Sequence, residues 1–76
     1  MQANNDDADE AFMCPILFTI MKDPVNYADG YTYERSAIEE HLKKDPTSPF
    51  TREPMEPGSG FPNRNLKAQI EAYLEA

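Results

Sequence analysis

The sequence predicts a small α+β domain: a β-hairpin plus a central helix flanked by two loops, with a C-terminal helix. Three observations carry this reading. Asp29-Gly30 sits between Val25-Asn26-Tyr27 and Tyr31-Thr32-Tyr33, two alternating runs, and Asp-Gly is among the strongest short hairpin signals. Ile38 and Leu42 follow four apart, with Ala37 and His41 four apart on the neighbouring face, as in a helix. Prolines punctuate the stretches on both sides, Phe12 to Pro24 and Asp45 to Pro57. The hairpin and helix read as the scaffold, and the two loops as the working surface.

Residues 1–10 hold Asp6, Asp7, Asp9 and Glu10, with no large apolar residue except Met1. They read as a disordered acidic leader, and the folded domain as 11–76. Phe12 to Met21 is the most apolar run. Pro15 and the lack of alternation favour a folded-back loop over a central strand. Composition assigns Ile16, Leu17 and Phe18 to the core, although three neighbours in one loop cannot all turn inward.

The hairpin follows, expected to close on a two-residue type I′ turn. Glu34 is then a candidate N-cap for the helix, with Ser36 and Glu39 as an alternative capping box. Lys43 and Lys44 suit the helix C-terminus, and Asp45-Pro46 stops it. Four prolines between Pro46 and Pro57 exclude helix and sheet interior and stiffen the second loop. Phe50 and Met55 can anchor it. The residues leave open whether it is a binding surface or a connector. Gly58-Ser59-Gly60 reads as a flexible turn and Phe61-Pro62 as a return to the core. Asn63 is a good N-cap for a last helix, with Leu66, Ile70, Tyr73 and Leu74 on one face.

Seventy-six residues make one domain at most, and a chain this small usually needs a staple. One cysteine allows no internal disulfide. Cys14 and His41 are the only Cys and His residues, too few for a four-ligand structural zinc. Packing and a polar network must supply the stability, so neither metal nor cofactor is expected. The net charge of −7 argues against nucleic acid. No run approaches the roughly 20 apolar residues of a membrane span, and no signal-peptide pattern opens the chain. The lone thiol suits a reducing compartment, so cytoplasm or nucleus is expected.

Cys14 precedes a proline in an apolar run with no neighbouring cation, so it reads as a buried structural thiol. His41 lies beside acidic residues on the helix and reads as a surface or contact histidine. The sequence singles out no phosphate loop and no nucleophile–base arrangement. The residues point to a binding module with no active site of its own.

An ordered set of motifs spans the chain from Phe12 to Leu74. It comprises Phe12-x-Cys14-Pro15-Ile16, Met21-x-Asp23-Pro24-Val25, and Gly30-x-Thr32-Tyr33-Glu34-Arg35 with Ile38 and Leu42. Ser48-Pro49-x-Thr51-Arg52-x-Pro54-Met55 and Pro62-Asn63-x-x-Leu66-Lys67-x-x-Ile70 complete it. Together these resemble a U-box, a zinc-free RING-like fold. The resemblance implies that salt bridges and hydrogen bonds replace the metal sites. It also implies a ubiquitin ligase module that binds a ubiquitin-conjugating enzyme and promotes ubiquitin transfer from its thioester to substrate lysines.

By position, the resemblance gives the conjugating enzyme Ile16 and Phe18 from the first loop, His41 from the helix, and Pro49 and Phe50 from the second loop. Arg52 falls where the family often has an arginine bridging the conjugating enzyme and ubiquitin, a role that suits its multi-donor fork. For Ile16 and Phe18 this reverses the assignment from composition. Ser48 departs from the cysteine many members have there, and Phe50 is larger than expected. Two other readings remain: a degenerate U-box that only binds a partner, against which Ile16, Pro49 and Arg52 speak, and a thiol enzyme using Cys14. The substrate protein is unspecified, and the lack of a substrate-binding region favours an excised domain.

Overall fold

The structure is a computed structural model and describes residues 10–75. The expected acidic leader lies outside these residues except for Glu10, which opens a 3-10 turn, Glu10–Phe12. Strand β1 (Pro24–Asn26) pairs antiparallel with β2 (Thr32–Glu34), with Val25 opposite Tyr33. The connecting turn differs from the expected one. Tyr27 N–H donates to Tyr31 O at 3.1 Å and Gly30 N–H to Tyr27 O at 3.0 Å, so Ala28, Asp29 and Gly30 form a three-residue loop. Only Gly30 takes a positive φ, 86°, while Asp29 stays in the ordinary region. Asp29 is held there because its Oδ1 accepts the Tyr31 N–H at 3.0 Å.

Helix α1 (Arg35–Lys44) starts directly after β2. Glu34 occupies the N-cap position but makes no capping bond with its side chain. Its carboxylate turns back to accept the N–H groups of Lys22 at 2.7 Å and Asp23 at 3.0 Å. Ser36 lies inside the helix, so the alternative capping box does not form. Lys43 and Lys44 occupy the last turn, and Asp45 closes it with its N–H on His41 O.

Phe61–Pro62 does not return to the core. It forms β3, an antiparallel partner on the free edge of β1, giving the sheet order β2-β1-β3. Phe61 is 75% exposed. Asn63 secures the edge through its N–H on Pro24 O, 2.9 Å, and its Nδ2 on Asn26 Oδ1, 3.2 Å. Gly60 is required just before it, because any Cβ there would run into the Tyr27 ring.

Asn63 caps helix α2 (Arg64–Glu75) as expected, its Oδ1 accepting the Leu66 N–H at 3.0 Å. Leu66, Ile70 and Tyr73 face inward, but Leu74 is 57% exposed. Leu74 lies about 40° further round the helix than Ile70, past the edge of a narrow buried stripe. Two clusters make the core. Val25, Tyr27, Tyr33, Ile38, Leu42 and Met55 form one, and Phe12, Cys14, Met21 and Ile70 the other. Ile16 packs against both.

Candidate functional site

The first loop folds back on itself. Met13 bridges Ile20, and Cys14 N–H donates to Thr19 O at 2.8 Å. Phe18 N–H donates to Cys14 O at 2.7 Å, pinching Pro15-Ile16-Leu17 into a projecting turn. A polar knot ties its base to the scaffold. Glu34 holds the Lys22 and Asp23 amides, and Arg35 Nε pairs with Asp23 Oδ2 at 2.7 Å. Arg35 N–H also donates to Asp23 O at 3.0 Å, and Glu34 N–H donates to the Cys14 sulfur at 3.4 Å. Hydrogen bonds to ionised acceptors are shorter and stronger than neutral ones, so a carboxylate can grip two amides at once.

The second loop is built around Ser48, which is fully buried. Its Oγ–H donates to Asp29 Oδ2 at 2.7 Å, and its Oγ accepts the Phe50 and Thr51 N–H groups, each at 3.0 Å. Its carbonyl accepts Arg52 N–H at 3.0 Å, and its own N–H donates to Glu53 O at 2.8 Å. One residue thus satisfies polar groups on four successive neighbours. Tyr33 reaches the same Asp29 Oδ2 with its hydroxyl at 2.5 Å. Burial, and then the adjacent carboxylate, push the Tyr33 hydroxyl well above the ordinary phenol range, so it stays protonated and donating.

The sequence-predicted residues are distributed as follows. Ile16 is half-buried at the tip of the first loop, against the cluster that contains Met55 of the second loop and Leu42 of α1. It therefore serves the core as well as the surface. Phe18 is 75% exposed and belongs to neither core cluster. His41 Nε2–H donates to Thr47 O at 2.9 Å, tying α1 to the start of the second loop. Pro49 is half-buried, and Phe50 is half-exposed with its ring stacked on Tyr31, centroids 4.3 Å apart. Arg52 is exposed, and among the described residues no acidic side chain forms an ion pair with it. A salt bridge to Glu53 or Glu56 is therefore not what holds it.

Two of these residues share an unusual backbone. Phe18 has φ 58° and Arg52 has φ 68°, and they are the only non-glycine residues with positive φ among those described. For such side chains this conformation is strained by about 1–3 kcal/mol and persists only where the surroundings enforce it. One lies in each loop.

The U-box domain family model matches residues 8–76. The chain belongs to the U-box family. It is 52% identical over 62 residues to the WD repeat, SAM and U-box domain-containing protein 1 of Danio rerio, covering 80% of this chain and 13% of that protein. It is 48% identical over 63 residues to an Arabidopsis thaliana protein named E3 ubiquitin-protein ligase CHIP, covering 82% and 23%. To the Caenorhabditis elegans ubiquitin conjugation factor E4 ufd-2 it is 36% identical over 74 residues, covering 97% and 8%. The chain thus spans less than a quarter of the length of these curated relatives.

Within this U-box, Ser48, the departure from the cysteine of many members, uses its one hydroxyl donor and both acceptors. Cys14 has no exposed surface, which removes the thiol-enzyme reading: a buried sulfur cannot reach an exogenous carbonyl. Among the described residues no three His, Cys, Asp or Glu side chains converge as a metal site. Sequence reasoning missed Tyr31, which backs Phe50, and the second role of Asp29. The Asp29-Gly30 signal was local, but its Ser48 partner lies 19 residues away, where no short-range pattern reaches.

Proposed function

We propose that this U-box acts as a ubiquitin ligase module. Ile16, Phe18, Pro49 and Phe50 receive a ubiquitin-conjugating enzyme, His41 supports the second loop beside them, and Arg52 promotes transfer. The observation that carries this reading is the pair of strained, exposed side chains, Phe18 and Arg52, one held out from each pinned loop. Relatives named as an E3 ubiquitin-protein ligase and a ubiquitin conjugation factor support it.

The reaction is aminolysis of a thioester. A lysine amine attacks the ubiquitin carbonyl carbon, the C–S bond breaks, and the conjugating enzyme's thiol leaves as the amine loses a proton. An isopeptide bond results. Nucleophile and thioester both belong to other molecules, so this chain contributes position and charge. Phe18 and Phe50 supply apolar contact. Arg52 donates to both the conjugating enzyme and ubiquitin, favouring the closed arrangement only through contacts absent from the open one. The module works in the cytoplasm or nucleus, where its thiol stays reduced.

Two variants test the division of labour. Phe18→Ala weakens binding of the uncharged conjugating enzyme by about 1–3 kcal/mol, as for an exposed apolar anchor in a small interface. Arg52→Ala slows single-turnover discharge of the charged enzyme to free lysine about tenfold, equivalent to roughly 1.4 kcal/mol, with affinity little changed. Unaltered discharge by Arg52→Ala would leave only a binding module.

A further inference from the structure

We propose that Asp29, in the hairpin turn, is a positioning residue that acts through Ser48 to hold Arg52 in its projecting conformation. The inference deepens the functional reading above and rests on Arg52 promoting transfer. A hydroxyl has one proton to give and two lone pairs to offer. Asp29 Oδ2, an acceptor when ionised, takes the Ser48 proton at 2.7 Å. Both lone pairs of Ser48 Oγ are then committed to the Phe50 and Thr51 amides. Those bonds curl the chain so that Arg52 N–H meets Ser48 O at 3.0 Å with Arg52 at φ 68°. The strained backbone of Arg52 is thus enforced by a carboxylate 23 positions earlier in the sequence, in an element that itself presents no predicted contact residue.

Asparagine at position 29 breaks this logic with little change of shape. Its amide oxygen can still serve Tyr31 N–H, but the NH2 then faces two hydroxyls. Ser48 loses its proton acceptor and must turn, taking its lone pairs off the loop amides. Tyr33→Phe is the control. It removes the other donor to Asp29 Oδ2 and costs stability, yet leaves the Ser48 proton its acceptor.

Two readouts on the intact chain decide the matter. Amide hydrogen exchange reports the loop directly: Asp29→Asn lowers protection of Phe50, Thr51 and Arg52 about tenfold relative to Met21 in the first loop. Single-turnover discharge falls by about the same factor and by more than affinity for the uncharged conjugating enzyme, part of whose contact, Phe50, lies in the loosened loop. Ser48→Ala does the same and Ser48→Cys, which keeps a weak donor and acceptor, recovers part of the loss. Asp29→Asn carries the test if Ser48→Ala fails to fold. Tyr33→Phe leaves both readouts near wild type per folded molecule. Wild-type exchange and discharge in Asp29→Asn, with Arg52→Ala still defective, overturn this inference alone. Equal losses in Tyr33→Phe also overturn it, since they mark a general structural effect. Normal discharge in Arg52→Ala overturns the functional reading itself, and this inference with it.

Discussion

Asp29, Tyr33 and Ser48 meet at a single carboxylate oxygen, and this meeting has a pH signature. The folded Tyr33 hydroxyl holds its proton to a higher pH than an unfolded tyrosine, which ionises near its ordinary value of 10.0. Its contribution is therefore complete below about pH 10 and is lost as pH rises from there through the raised folded value. The urea midpoint should fall above pH 10, and fall less steeply in Tyr33→Phe. Equal slopes for the two proteins would mean another group governs alkaline unfolding. Phe18 belongs to the same scale. Glycine adopts φ 58° without a Cβ penalty, so Phe18→Gly should keep or raise the urea midpoint while weakening conjugating-enzyme binding. A lower midpoint would show that the ring packs on the domain.

At the scale of elements, each loop is tied to the scaffold of hairpin and α1 by a carboxylate from that scaffold. Glu34 holds the first loop, with Arg35 gripping Asp23 beside it, and Asp29 holds the second. The two knots differ in exposure. Asp23 and Arg35 are both partly open to water, so that pair contributes little by itself. The Glu34 grip on two amides is stronger, because both bonds end on one charged group. Glu34→Gln replaces one acceptor oxygen with an NH2 facing an N–H. It should cost about 1–2 kcal/mol in urea denaturation with an unchanged m-value, water offsetting part of the loss. Exchange at Lys22 and Asp23 should rise with it, and a loss of stability without local exchange would place the effect elsewhere.

For the molecule as a whole, the two knots occupy the structural role that a disulfide or metal fills in many chains of this size. The sheet is three short strands and the core two small clusters bridged by Ile16. Cross-links of this kind bind no ion, so a chelator should leave the thermal midpoint unchanged. Stoichiometric zinc in purified, folded protein would contradict this. The arrangement also fits a module: the described residues supply a scaffold and two loops, and its U-box relatives are several times longer.

Sequence alone determined what depends on neighbours in the chain. Asp29-Gly30 marked the hairpin, Asn63 the cap of α2, and Asp45-Pro46 the end of α1, because turn and cap preferences act over a few residues. The folded-back first loop was legible from Pro15, and the U-box resemblance was carried by ordered motifs. Tertiary structure decided what depends on partners far away. It turned Glu34 from cap to clamp, moved Phe61-Pro62 from core to sheet edge, and turned Leu74 out to solvent. It also gave Asp29 a second employment at Ser48 and set Arg52 in a backbone conformation no local pattern announces. The reason is physical. A short-range preference is written in adjacent residues, whereas a hydrogen bond across 19 positions exists only once packing has brought its ends together.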